Sequence, residues 1–307
     1  MKKIVSVLAA VWFFCACSAA AGAEKSEKLK VITTIFPVYD FARAVAGDRA
    51  EISMLVRPGA EIHTFDPSPK DIIEIQNADV FICVGGESEA WVDTLLKPMP
   101  GKTVLRLIEH VKAVKEELVE GMQPEEEEEE EEAYDEHIWT SPRNAALLVR
   151  AAAETLSGAD PANALFYRES AESYVEKIKA LSEKFQALVA SAKRKTILFG
   201  DRYPFRYFSD EFGLEYRAAF PGCAVEGDAS AATVAYLVRF AEREKIPVIY
   251  TLEFSSGNIA RTIAGETGAE VLILHSCHNV TREEFQTGVT WLDLMKKNLE
   301  NLRKGLY

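Results

Sequence analysis

The sequence is poor in histidine, cysteine and positive charge, and each shortage excludes something. There are five histidines and five cysteines in 307 residues. None forms an H-E-x-x-H or C-x-x-C pattern, which removes the common helical zinc-hydrolase and thiolate-pair motifs. Lys and Arg number 35 against 48 Asp and Glu, a formal charge of −13. A phosphate backbone needs a basic footprint, so this balance excludes nucleic acid as the main partner. More than half of the excess lies in one run of eight, Glu125 to Glu132. There is also no repeat or separate adhesive module. Long apolar runs are missing too, except for Ile4 to Cys17, which is too short to span a bilayer comfortably.

That one run has a recognisable build. Lys2 and Lys3 precede it, and the small residues Ser18 to Ala23 follow it. A charged start, an apolar middle and a small-residue end read as a secretory leader over residues 1–23. Ala21-Gly22-Ala23 offers one cleavage site. Phe14-Cys15-Ala16-Cys17 resembles a lipobox, in which Cys17 is lipidated and becomes the mature N-terminus. Both routes export the chain to the periplasm or cell surface, where disulfides persist. Cys83 lies in the apolar run Val80 to Val84 and reads as a core thiol, which leaves Cys223 and Cys277 in loop-like contexts as the pair. Closing that loop is worth roughly 4 kcal/mol on the chain-entropy picture.

The remainder alternates strand and helix. Lys30 to Phe36, Glu51 to Val56 and Asp79 to Val84 read as strands, separated by helical stretches that open at Pro37 and at Ser68-Pro69. Residues 111–136, with Pro124 and the glutamates, offer little to bury and read as a solvated loop, order returning at His137. Tyr167, Ala171, Tyr174, Ile178, Leu181, Phe185 and Leu188 then recur at intervals of four and three, one apolar stripe on a long helix over 161–193. The alternation resumes with strands at Lys195–Gly200, Pro247–Leu252 and Glu270–Leu274, and a last helix at Val289–Leu302. Such a pattern predicts parallel sheets with crossover helices.

Ligands in open α/β sheets bind beyond the carboxyl ends of strands. Three of the ends in the second half carry Asp201, Glu253 and His275. His63 follows a strand in a loop containing Pro58 and Gly59, and His137 stands where order resumes; His110 lies in a charged stretch and reads as an ordinary surface residue. Three neutral imidazoles and one carboxylate make a four-coordinate set suited to Zn²⁺.

Val31-Ile-Thr-Thr-Ile-Phe-Pro-Val-Tyr39, Val56-Arg-Pro-Gly-Ala-Glu-Ile-His63 with Asp66-Pro67, and Asp135-Glu-His-Ile-Trp-Thr-Ser-Pro142 strongly resemble the metal-binding solute-binding proteins of ABC transporters. This family comprises zinc-uptake, manganese-uptake and adhesin-type lipoproteins. The likeness covers essentially the mature chain, to Trp291-Leu-Asp-Leu-Met-Lys-Lys-Asn298. It implies two α/β lobes, residues 24–160 and 194–307, joined by the long helix, with the metal in the cleft between them. It also implies His63 and His137 as ligands from the first lobe. In the second lobe the family carries a His after the strand written here Ile197 to Gly200, and an acid after the strand written Val271 to Leu274. This sequence has Asp201 and His275 there instead, which predicts an exchange of oxygen for nitrogen, with Glu253 and His278 as competitors. A disulfide in the second lobe fits the resemblance; the alternative is Cys277 as a thiolate ligand.

The resulting expectation is a monomeric, exported zinc-binding protein that delivers Zn²⁺ to an ABC permease and is not an enzyme. The glutamate run would raise local metal concentration and capture rate. Manganese is the alternative cargo, disfavoured by three imidazoles. A zinc hydrolase needs an open coordination position that four protein ligands would fill. An adhesin is the third reading.

Overall fold

The computed structural model describes residues 27–60, 65–122, 134–222 and 229–307. The leader with Cys17, the glutamate run, His63 and Cys223 lie outside the described residues.

The first lobe runs β1 (Leu29–Thr33), α1 (Phe36–Ala46), β2 (Ala50–Met54), α2 (Pro69–Asn77), β3 (Val80–Cys83), α3 (Trp91–Leu96), β4 (Thr103–Arg106) and α4 (Pro142–Ala159). Then comes α5 (Ala164–Ala190). The second lobe runs β5 (Thr196–Phe199), α6 (Arg206–Phe212), β6 (Glu215–Arg217), α7 (Ala231–Glu244), β7 (Val248–Thr251), α8 (Asn258–Thr267), β8 (Glu270–Ile273), α9 (Arg282–Thr287) and α10 (Trp291–Leu306). The two sheets have orders β2-β1-β3-β4 and β6-β5-β7-β8, parallel throughout. Both lobes therefore share one strand order. The order reverses between β1 and β3, and again between β5 and β7, which places a crevice at the carboxyl ends of those strands.

Local sequence explains the elements. All four residues of β3 and all four of β7 are buried, as strands covered on both faces require. Ser68 and Asp71 form a reciprocal cap on α2, with Pro69 in its first turn; Thr290 and Asp293 do the same for α10. A β-carbon on Gly200 would lie 2.4 Å from the Ala260 backbone, so glycine lets α8 press against the end of β5. The seven residues of the apolar stripe are all buried along α5, whose 27 residues span about 40 Å. A short 3₁₀ turn at Pro161–Asn163 precedes it. The strands β4 and β6 and the helices α3, α6 and α9, which the alternation read from the sequence did not include, are all short; for α9 the available signal was Thr281 three residues before Glu284, its reciprocal cap.

The loop read as solvated over 111–136 is narrower than expected. Val114 N–H donates to the Tyr207 hydroxyl at 3.1 Å, and that hydroxyl donates to the Asp135 carbonyl at 2.7 Å. Lys115 pairs with Tyr134 in an antiparallel bridge. Glu117 pairs with Arg206, and Glu120 with Arg217 at 3.6 Å, so this segment straps the second lobe. Asp135 and Glu136 are already buried. Here acidic residues have partners, which composition alone does not reveal.

Two buried carboxyls fix the frame. Asp40 on α1 is 1% exposed. It accepts from Arg43 Nε at 2.7 Å, from the Tyr174 hydroxyl of α5 at 2.9 Å and from Trp291 N–H of α10 at 2.8 Å. Burial raises its pKa, against the pull of the Arg43 guanidinium. Arg43 also donates to the carbonyls of Gly288 and Val289. Beneath the end of β3, Glu89 accepts from Gly85 N–H at 2.7 Å, while Glu136 binds both the amide and the hydroxyl of Ser88. Burial pushes Glu89 up to about 7, with the nearby Glu136 charge adding to the rise and the Thr34 hydroxyl opposing it.

Both carboxyls can be tested by substitution. Asp40→Ala strands three donors and should lose about 3 kcal/mol of unfolding free energy, with Asp40→Asn losing less; urea denaturation reads both. Glu89 holds a proton more tightly folded than unfolded. Its contribution is fully present below pH 4.5 and lost as pH rises through about 7. Glu89→Gln should therefore match the parent near pH 4 and be more stable by about 3 kcal/mol at pH 8. A stability difference that does not change with pH would contradict the assignment.

Candidate metal centre

A cavity of about 270 Å³ opens at the seam between the lobes. The first lobe contributes Gly59, Ala60 and His137 to its wall; the second contributes Arg202, Leu252, Glu253, Ser276, His278 and Asn279, among others. Arg202 and Glu253 follow β5 and β7, the two strands flanking the reversal in order. The loop after β8 supplies Ser276, His278 and Asn279.

His137 is 2% exposed and set by Asp135. Asp135 Oδ1 accepts from the His137 backbone N–H at 2.7 Å and lies 3.0 Å from His137 Nδ1. An ionised carboxylate only accepts, so Nδ1 carries the hydrogen and Nε2 is the basic nitrogen. This is the arrangement by which a carboxylate orients an imidazole toward a metal. Gly222 packs on the same ring: a β-carbon there would meet Nδ1 at 3.3 Å and the Tyr203 carbonyl at 2.9 Å.

His278 faces His137 across the seam, ring centres 5.4 Å apart and planes at 80°. Two imidazoles on one tetrahedral ion, each bound at about 2.0 Å, have centres roughly 5 Å apart. The His278 N–H donates to Ser276 Oγ at 3.2 Å. That hydroxyl donates to Glu253 Oε1 at 2.6 Å, and the Ser276 N–H donates to Glu253 Oε2 at 2.9 Å. The loop is also stitched to the first lobe. Asn279 Nδ2 donates to the carbonyls of Arg57 and Ala60, both at 2.9 Å, just before the segment that contains His63.

The other two expected ligands are placed differently. Neither Asp201 nor His275 is among the described residues lining the cavity. Asp201 is a strut between strand ends: Oδ1 accepts from Arg202 N–H at 2.8 Å, and Oδ2 from the Thr251 hydroxyl at 2.7 Å and Leu252 N–H at 3.2 Å. His275 Nδ1 lies 2.9 Å from the Cys277 backbone nitrogen and 3.4 Å from Glu253 Oε1. Its backbone is clamped by Asn298, whose Oδ1 accepts from His275 N–H and whose Nδ2 donates to the His275 carbonyl. Asp201 and His275 are thus each held by neighbouring protein groups and lie off the wall of the cavity. Glu253 and His278, the competitors, sit on its wall. Among the described residues, no group of three or more His, Cys, Asp or Glu side chains converges tightly enough to hold an ion by itself.

Cys277 is a free thiol, fully buried, with Sγ 3.6 Å from the His275 carbonyl. Burial pushes its pKa well up. Its expected disulfide partner, Cys223, lies outside the described residues. Cys83 is buried in β3 and free, as a core thiol should be. His110 is exposed. Sequence reasoning passed over Asp135, although its place two residues before His137 was the available signal. Arg202 and Asn279 carried no such signal.

The profile of the family described as zinc-uptake complex component A, periplasmic, matches residues 31–305. The zinc-binding lipoprotein AdcA of Streptococcus pneumoniae is 32% identical over 313 residues, covering 99% of this chain and 61% of that protein. The chain thus spans 61% of the length of that relative. The high-affinity zinc uptake system protein ZnuA of Bacillus subtilis is 31% identical over 289 residues, covering 92% of this chain and 89% of that one. The crystal structure of the Zn(II)-bound ZnuA-like domain of Streptococcus pneumoniae AdcA superposes with a TM-score of 0.76 at 29% identity, covering 91% of this chain and 99% of that domain. The fold thus has its counterpart in a solved structure, and the chain belongs to the ZnuA family of zinc-uptake components.

Proposed function

We propose that this protein is the extracytoplasmic binding component of a zinc ABC uptake system, capturing Zn²⁺ between its lobes and passing it to a membrane permease. The observation that carries the reading is the edge-on pair of His137 and His278 across the seam, with Glu253 on the same cavity wall. Two imidazoles and a carboxylate suit borderline Zn²⁺ better than harder ions, Mn²⁺ included. His63, three residues after Ala60 of the cavity wall in sequence, is the fourth donor in this reading. The names of the relatives support zinc as the cargo.

The chemistry proceeds by exchange of water for protein donors. Asp135 holds the His137 ring by Nδ1, which leaves Nε2 as the nitrogen offered to the ion. Glu253 brings the negative charge, its orientation held by the amide and hydroxyl of Ser276. Four protein donors leave no open position for a hydrolytic water, which fits transport and not catalysis. Donors drawn from both lobes mean that separating the lobes removes part of the coordination shell, and this gives a permease a route to release the ion. Export through the leader over residues 1–23 would place the protein outside the cytoplasm. No helix among the described residues is long and apolar enough to cross a membrane.

Zinc titrations against a competing chelator test the ligand set. His137→Ala and His278→Ala should each weaken binding by at least about 100-fold, more than outer partners usually contribute. His275→Gln should stay within a few fold of the parent. The reverse ranking would restore His275 as the ligand. Asp135→Asn, which puts a neutral, weaker acceptor in place of the carboxylate beside Nδ1, should weaken zinc binding by about 10- to 100-fold while leaving the fold intact by circular dichroism.

A further inference from the structure

We propose that Trp139 is a positioning residue of the metal centre, holding the His137 and His278 imidazoles in register and locking the loop that carries His278 to the first lobe. This rests on the reading of the seam cavity as a metal site. The three rings form a nearly equilateral cluster. The Trp139 ring centre lies 5.4 Å from that of His137 and 4.9 Å from that of His278, and the two imidazoles are 5.4 Å apart. Trp139 is 2% exposed, so the cluster is packed from behind.

The indole has one donor, and it crosses between lobes: Nε1 donates to the Ser276 carbonyl at 2.9 Å. Ser276 is the residue whose amide and hydroxyl hold Glu253 and whose hydroxyl accepts from His278 N–H. Through a single bond, Trp139 therefore reaches both donors of the second lobe. Its own carbonyl accepts from Trp291 Nε1 at 3.2 Å, and Trp291 N–H donates to Asp40. Trp139 is thus the end of a chain of hydrogen bonds that starts at the buried carboxyl between α1, α5 and α10 and finishes at the cavity. Phenylalanine would keep a ring face against the imidazoles but would leave the Ser276 carbonyl without this donor.

The test uses the full chain with Trp139→Phe, Trp91→Phe as a control, and Co²⁺ as a spectroscopic stand-in for Zn²⁺. Trp139→Phe should weaken zinc about tenfold, the scale of one lost hydrogen bond. Its cobalt-loaded form should show shifted and weakened d–d bands, because the imidazoles are no longer held at one angle. Trp91→Phe, at a ring that packs on Phe65 and Phe81 in the first lobe, should leave those bands unchanged. Cobalt bands of Trp139→Phe that superimpose on the parent's overturn the proposal. Should Trp139→Phe not fold, the parent labelled with 5-fluorotryptophan decides: zinc should shift the ¹⁹F signal of Trp139 and leave that of Trp91 in place, and an unmoved Trp139 signal overturns it. A parent that takes up neither metal removes the metal reading itself, an outcome distinct from a bound metal with indifferent Trp139.

Discussion

The carboxyl of Asp40 is the point on which the two lobes agree. Three helices from different parts of the chain each give it a donor, and a carboxyl buried to this degree is tolerable only when its oxygens are all engaged. The carboxyl end of each sheet is a crevice, and a crevice is useful for an ion only if the facing one is held at a fixed distance. The contacts among α1, α5 and α10 set that distance. The line of bonds from Asp40 through Trp291 and Trp139 to Ser276 carries it to the donors. α5 adds stiffness, packing on α1, α4 and α10 along its length.

Around the seam, acidic and imidazole groups divide into those that build and those that face the cavity. Asp201, Asp135 and Glu136 all lie near the strand ends and are all buried, yet each is engaged by protein donors. Asp201 ties β5 to β7, and Asp135 fixes a histidine. His275 and His278 divide in the same way within four residues. His275 is folded back onto its own loop and Asn298, while His278 is turned across the seam toward His137.

The sequence made the larger elements legible. The stripe from Tyr167 to Leu188 is a period of 3.6 sustained over many turns, and nothing else has that period. The strands of Val, Ile and Phe between turn residues were equally plain, and His137 was marked by its surrounding motif. The sequence could not distinguish Asp201 from Glu253, or His275 from His278. All four lie in loops that follow strands of the second lobe, and each is held by bonds that the sequence does not display: Thr251 and Leu252 on Asp201, Ser276 on Glu253 and on the His278 amide, Cys277 and Asn298 on His275. Nor could it show that the acids at 117 and 120 face Arg206 and Arg217, since those partners are distant in the chain.

The bridge between Lys115 and Tyr134 has an evolutionary reading. It closes the acidic excursion at its base, three residues before His137, and the bonds from Val114 to Asp135 and Tyr207 seal the join. Once the two stems are pinned, lengthening the excursion adds only a logarithmic closure entropy, about 0.6 kcal/mol for each doubling. Insertions and deletions in the polyglutamate tract are thereby uncoupled from the histidine just beyond it, so that stretch of the gene is free to expand or contract between related sequences without disturbing the seam.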